Sequence, residues 1–270
     1  MSIQQSKGYR TSFDSHEYAL PFANSFPFDA DERVFLRESF KSLMVGGAAV
    51  GVLFFGIGIV LVPLALLFSR RVLERNLSPV YGLCGGMCFT ALDCHRVGIP
   101  MSRLFGRIER PSPGSSLHRY LWKRQLDSWA SDGLRFVVWL TCLNYVPTRR
   151  PFNGGAKWLN RRSQREWRNL KAFLDAGQPM PIGLVRERRN LYDNHQVVAL
   201  GYDEVDDTHA RIQIYDPNCP GNESTIDLQF QVDMLDGRES CGGGVPLRGF
   251  FVERYKARLP DWVSEESLEK

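Results

Sequence analysis

The sequence predicts an α+β domain carried behind a single membrane-spanning helix. Three observations predict it: an uncharged apolar run at residues 43–68, helix-like segments after it, and short alternating strand-like segments last. With 270 residues, 43% hydrophobic and 12% aromatic, the chain is large and apolar enough for one substantial packed domain with an appendage.

Residues 1–42 read as a polar, turn-rich arm with aromatic residues scattered singly. From Leu43 to Phe68, "LMVGGAAVGVLFFGIGIVLVPLALLF", 26 residues carry no charged or polar side chain. A helix needs about 20 residues to cross the hydrocarbon core of a bilayer. The run starts too far in, and is too long, for a secretory signal. A lipid bilayer is therefore the expected partner of residues 43–68, and the expected localisation is single-pass membrane. Basic residues flank both ends, so charge does not set an orientation. Residues 69–79 form a basic linker that Pro79 closes.

The domain proper spans residues 80–260, followed by an acidic tail at 261–270. A helix opens near Cys84, with Cys88, Ala91, Leu92 and His95 on one face. A Pro/Gly/Ser turn at 111–116 leads into "LHRYLWKRQLDSWA", a second amphipathic helix. The following "RFVVWLTCL" has the character of a strand or a buried helix. "RSQREWRNLKAFLDAG" predicts a helix closed by Gly177, with Trp167, Leu170 and Leu174 as its apolar stripe. Strands are expected at 181–186, 196–202, 210–216 and 224–230, and a fifth in "RGFFVERY". Helices first and strands later give an antiparallel sheet.

The net charge of +4 is uneven: eleven Lys/Arg against three Asp/Glu lie between Arg149 and Arg189. That excess reads as a solvated helix face. No groove-reading or zinc-finger motif accompanies it, so nucleic acid is not an expected partner. Six cysteines are too sparse for a disulfide scaffold in a chain this long. Three of them crowd into eleven residues, which suits free thiols and a reducing compartment on the cytoplasmic side. The spacing of Cys84, Cys88, Cys94 and His95 matches no common zinc knuckle, and no metal or cofactor is expected.

"NHQVVALGYDEVDDTHARIQIYDPNCPG" carries the strongest site signal. A hairpin symmetric about the acidic loop pairs 199 with 212, 197 with 214 and 195 with 216. Val197, Ala199, Ile212 and Ile214 then share one face, with His195 and Asp216 at its open end. The other face collects Gln196, Gln213, Tyr215 and Arg211. A histidine beside a carboxylate is the base-and-orienter half of a nucleophilic device, with Asn218 as the alternative orienter. Its partner would be a thiol of lowered pKa, which a helix N-terminus helps to supply. Cys84 sits at that start, and the Gly85–Gly86 backbone leaves N–H groups open for an oxyanion. Cys88, one turn deeper between Met87 and Phe89, is the alternative nucleophile. Arg186, Arg188 and Arg189 precede the histidine strand and could meet an acidic substrate.

Taken in order, "GLCGGM", "AGQPMPIGLV", "NHQVVALGYD" and "IYDPNCPG" resemble the papain-like cysteine peptidases, closest to the bacteriocin-leader-processing (double-glycine) branch. The resemblance implies a papain-like fold, with Cys84 as nucleophile, His195 as general base and Asp216 as orienter. That family carries a glutamine about six residues before the nucleophile as oxyanion donor. Here Ser78 stands at that spacing and Asn76 is the nearest amide, so both join Gly85 as oxyanion candidates. The resemblance thus implies a membrane-anchored thiol hydrolase acting on a peptide or protein substrate through an acyl-enzyme. The alternative is a catalytically inactive module of that fold that binds a peptide.

Overall fold

In the computed structural model the described residues are 7–27, 80–105, 109–146, 154–187, 194–241 and 244–259. Contacts divide the chain into two compact units: Met1–Asn24 with Leu83–Arg110 and Tyr120–Lys270, and Ser25–Gly82 with Pro111–Arg119. In the smaller unit the described part is a two-stranded pairing of β2 (Phe26–Pro27) with β3 (Val80–Tyr81). There the Phe26 and Tyr81 rings stack, and the Tyr81 hydroxyl meets His118 Nε2 at 3.0 Å.

In the larger unit, residues 7–24 join the sheet through β1 (Lys7–Arg10) and continue into the short α1 (Ser15–Tyr18). Phe13, Ala19, Leu20 and Phe22 are buried. The helices are α2 (Cys84–Val97), α3 (Met101–Phe105), α4 (Ser116–Tyr145) and α5 (Gly155–Asp175). The strands follow: β4 (Met180–Arg186), β5 (His195–Glu204), β6 (His209–Tyr215), β7 (Ser224–Phe230), β8 (Leu235–Glu239) and β9 (Leu247–Val252).

The strands close into a six-stranded antiparallel barrel in the order β5–β4–β9–β8–β7–β6, and a β5–β6 pairing completes the ring. This corrects the expected α+β papain-like domain preceded by a transmembrane helix. Closure depends on two features that strand periodicity does not report. The first is β5, ten residues long, which pairs with β4 along its first half and with β6 on its other edge. The second is β8, "LDGRE", whose charges and glycine hide it as a strand and whose Gly237 pairs with Leu247 of β9 to keep the ring continuous. "RFVVWLTCL" lies within the helix α4.

The single-pass membrane reading is also corrected. Among the described residues no helix is long and apolar enough to cross a membrane. The longest, α4, carries Lys123, Arg124, Asp127, Asp132 and Arg135 along its length. The run 43–68, on which the bilayer partner rested, lies outside the described residues, as do 28–42, 69–79 and the tail 261–270. The expectation of a reducing compartment rested on free thiols, but Cys219 and Cys241 are disulfide-bonded.

The core forms on both faces of the strands. Val197, Ala199, Tyr202, Ile212, Ile214, Ile226, Leu228 and Phe250 pack with Trp167, Leu170 and Leu174 of α5. On the opposite face, Phe136, Trp139 and Leu140 of α4 pack on Val185 and Phe251. The β5–β6 register differs from the symmetric one: Val198 faces Tyr215 and Ala199 faces Ile214, then Gly201 faces Gln213 and Tyr202 faces Ile212. Two sets of contacts account for it. Asp206 accepts hydrogen bonds from the backbone N–H groups of Thr208 and His209, which tightens the turn to residues 205–208. The surplus residue, Leu200, bulges out, and its carbonyl accepts bonds from both the backbone N–H and the hydroxyl of Thr11.

Candidate active site

The thiol pair lies on α2, whose residues from Gly85 to Cys94 are all buried. A helix buried on every side must be built from small and apolar residues where its neighbours come closest. The double glycine marks that place. A Cβ at Gly86 would lie 2.2 Å from the carbonyl oxygen of Leu121 on α4, and one at Gly85 would lie 2.3 Å from Gln196 Oε1. The glycines therefore let α4 and β5 reach the first turn of α2.

Four backbone N–H groups at a helix start have no partner within the helix. In α2 that of Leu83 donates to Asn24 Oδ1, and that of Gly86 donates to Gln125 Oε1 at 3.0 Å. Among the described residues the N–H groups of Cys84 and Gly85 have no hydrogen-bond partner. The other two oxyanion candidates, Asn76 and Ser78, lie outside the described residues.

His195 opens β5 and is 3% exposed; Asp216, just past the end of β6, is fully buried. Their side chains meet at 2.6 Å, Nε2 to Oδ1. The same carboxylate oxygen accepts the Asn218 backbone N–H at 2.8 Å, so the turn "DPN" orients the acid. The Asn218 side-chain nitrogen also lies 3.1 Å from Nε2. A carboxylate wants a proton on that nitrogen and an amide NH2 wants it bare. The shorter, charge-assisted bond prevails, so Nε2–H is given to Asp216. Asn218 supports the turn, and Asp216 is the orienter.

With Nε2 committed, Nδ1 is the ring nitrogen free to serve Cys84. Burial lowers the His195 pKa, but the charge and hydrogen bond of Asp216 and the hydrogen bond and charge of Cys84 together overcome it and carry it up to about 10. The imidazolium is therefore the resting form at neutral pH. Its raised pKa adds stability below the ordinary value of 6.5, and that stability is lost as pH rises through about 10.

The two thiols have different surroundings. Cys84 is partly exposed, with its sulfur 3.6 Å from Gln196 Oε1. Cys88 is fully buried, donates to the Gln196 carbonyl at 3.4 Å, and has its thiol pKa pushed well up by burial and by the neighbouring Cys84. A buried thiol raised in this way is not a nucleophile. Cys94 is buried against Met101. Among the described residues no cluster of His, Cys, Asp and Glu could hold a metal ion.

Sequence periodicity missed Gln196 and Gln125. Gln196 was assigned to the polar outer face of the hairpin, yet it is 4% exposed beneath α2. A chain of bonds fixes its orientation. Gln125, having accepted from Gly86, donates through Nε2 to Gln196 Oε1 at 3.4 Å. Gln196 Nε2 in turn donates to Ser128 Oγ at 3.0 Å and to Glu253 Oε1 at 2.6 Å. Gln196 thus turns its oxygen, not its NH2, toward the thiol and cannot act as an oxyanion donor. The only local signal for it was an amide inside the apolar run "HQVVALG".

Glu253 ends this chain fully buried. Burial lifts its carboxyl to about 8, helped by nearby Asp132 and opposed by the Gln196 bond and Arg135. Since 8 lies above the ordinary 4.5, the folded state holds the extra proton between those values, so stability falls as pH rises through that window. Glu253→Gln is expected to flatten the decline. Its melting temperature relative to the parent should rise by several degrees between pH 5 and pH 8, and a constant difference would refute the assignment.

Arg186 is tied by two contacts to Glu239, at 2.8 and 2.6 Å, and so is not a free receptor for an acidic substrate. Arg188 and Arg189 lie outside the described residues. Compared with known proteins, the chain matches no family model, no curated protein and no solved structure.

Proposed function

We propose that the protein is a thiol hydrolase that cleaves a peptide or related amide bond through an acyl-enzyme. The carrying observation is the partly exposed Cys84 thiol at a helix start, beside an imidazole held 2.6 Å from a buried aspartate. In this reading the Cys84 thiolate attacks the acyl carbon, and the oxyanion takes the N–H groups of Cys84 and Gly85. The C–N bond then breaks, and the His195 Nδ1 proton passes to the leaving amine. Water, deprotonated by the now neutral imidazole, adds to the thioester. The acid departs, and the thiol is restored. Gln196 offers the thiolate no donor, so stabilisation of the anion falls to the imidazolium and the helix start.

Incubation with a peptide vinyl sulfone followed by peptide mapping tests the reading. A covalent adduct on Cys84 is expected, together with hydrolysis of a fluorogenic peptide library that Cys84→Ala abolishes. Hydrolysis that survives Cys84→Ala would sink it. A second reading, a peptide-binding module without turnover, is favoured by the placement of two cavities. The one of about 630 Å³ lies between α5 and the 205–208 loop, and the one of about 820 Å³ along α5 and residues 252–257. Neither is lined by Cys84 or His195. That reading predicts saturable peptide binding with no adduct and no turnover.

A further inference from the structure

The cavity of about 820 Å³ along α5 and residues 252–257 carries charge and apolar surface that the thiol chemistry does not use. Among the described residues four cations line it: Arg96, Arg135, Arg254 and Lys256. Arg135 is already engaged by Glu166 Oε1 at 2.7 Å, by Asp132 Oδ1 at 3.2 Å and by the Val252 carbonyl at 2.7 Å. Arg96, Arg254 and Lys256 are exposed and, among the described residues, form no ion pair.

The acids in the lining do not balance these three. Glu166 is held by Arg135 and by the Val252 N–H at 3.0 Å. Glu253 is buried, and its carboxyl is raised to about 8, so most of it is protonated at pH 7. Positive charges gathered around one concavity without counter-charges favour an anion.

The remaining lining selects the kind of anion. α5 sends Trp167, Leu170 and Leu174 into the core, whereas Phe173 falls outside that stripe and is 38% exposed at the cavity. Half-buried Met180 adds apolar surface to the same lining. An exposed aromatic ring in a concavity gives an apolar group a place to leave water. Asn169 and Gln178 also line the cavity, and their side-chain amides both donate and accept. Inorganic phosphate has no use for the apolar residues, and an alkyl carboxylate has none for the two amides. A peptide that ends in an apolar residue uses all three features, and the volume suits a ligand of a few residues.

We propose that this cavity binds the free C-terminus of a peptide whose last residue is apolar. Arg254 and Lys256 meet the carboxylate, Phe173 and Met180 the side chain, and Asn169 and Gln178 the backbone. The inference rests on the peptide-binding reading, whose ligand it names by its end group, and it does not depend on the reactivity of Cys84.

The test is titration calorimetry of the full chain carrying Cys84→Ala, so that no peptide is cleaved. The probes are acetyl-Gly-Ser-Gly-Leu-Leu as the free acid and as the C-terminal carboxamide. The acid is expected to bind about ten-fold more tightly, by a margin that shrinks as ionic strength rises. Arg254→Gln combined with Lys256→Gln should remove most of that margin and leave the carboxamide affinity as it was. Both side chains are exposed, and an unchanged melting temperature checks that the variant is folded. Phe173→Ser should weaken both peptides alike, by about five-fold.

Equal affinity for acid and carboxamide, or a margin that the double variant leaves intact, overturns the proposal while the saturable binding still supports a peptide-binding module. Dodecanoate that binds where neither probe does overturns it in favour of an alkyl anion. If a random pentapeptide library binds and neither probe does, the proposal alone fails. No saturable binding of the probes or of the library removes the peptide-binding reading as well.

Discussion

Replacing His195 by alanine is expected to slow alkylation of Cys84 about ten-fold at pH 7 and about a hundred-fold at pH 5.5. The growth of the effect toward acid follows from what the imidazolium does. A cation beside a thiol favours its charged form, and that matters most at acid pH, where an ordinary thiol titrating near 8.5 is almost wholly protonated. The gain is smaller than the thiolate fraction alone implies, because a thiolate of low pKa is a weaker nucleophile. Asp216→Asn should show the same acid-weighted loss at smaller size, since the bond at 2.6 Å would survive without its charge. Cys88→Ser should change neither rate, because that thiol is fully buried and held protonated. Mass mapping of the labelled peptide separates the two cysteines. A loss equal at both pH values would mean that His195 shapes access to the thiol and does not control its charge.

The largest effect on stability is expected at Asp93. Its carboxylate lies 1% exposed inside α2 and gathers three elements. Oδ1 accepts from Arg124 Nη2 at 3.1 Å, the Tyr255 hydroxyl at 2.8 Å and the Arg258 N–H at 2.9 Å, and Oδ2 accepts from the Tyr120 hydroxyl at 2.8 Å. Arg124 Nε lies 2.7 Å from Oδ2 but is misaligned for a hydrogen bond, so that contact is Coulombic. The guanidinium is as buried as its partner, 4.9 Å from the Phe89 ring and 5.7 Å from the Tyr255 ring.

Burial pushes the Asp93 carboxyl above its ordinary range even though Arg124 opposes the shift. Replacing that ion pair whole by apolar groups could be nearly neutral, whereas removing Asp93 leaves the buried guanidinium only Asp127, at 2.7 Å, as a charge partner and three donors without their acceptor. Asp93→Ala is therefore expected to cost about 3–5 kcal/mol, a large share of the stability of a domain this size. The midpoint of urea unfolding measures it. A loss below about 1 kcal/mol would mean that water reaches Arg124 once the carboxylate is gone.

Arg124 and Asp93 each sit within a helix, in "WKRQ" and "ALDC". Their pairing across two helices has no local signature. The same holds for the bulge at Leu200. Its stabilising partner, Thr11, lies 189 residues away, so no examination of the hairpin alone could yield the register. The stripe of Trp167, Leu170 and Leu174 was legible because a single helix face met a single layer of core.

The sequence by itself determined the helix that begins at Cys84 and the run of strands that starts at His195. Each follows from local spacing, periodicity or turn chemistry that a few neighbouring residues impose. Only the tertiary structure decided that the strands close into a barrel and that Gln196 is buried with its oxygen toward the thiol. It likewise decided that Cys219 pairs with Cys241. Periodicity reports which face of an element is buried. It does not report which distant element covers that face, and long-range polar contacts depend on the covering element.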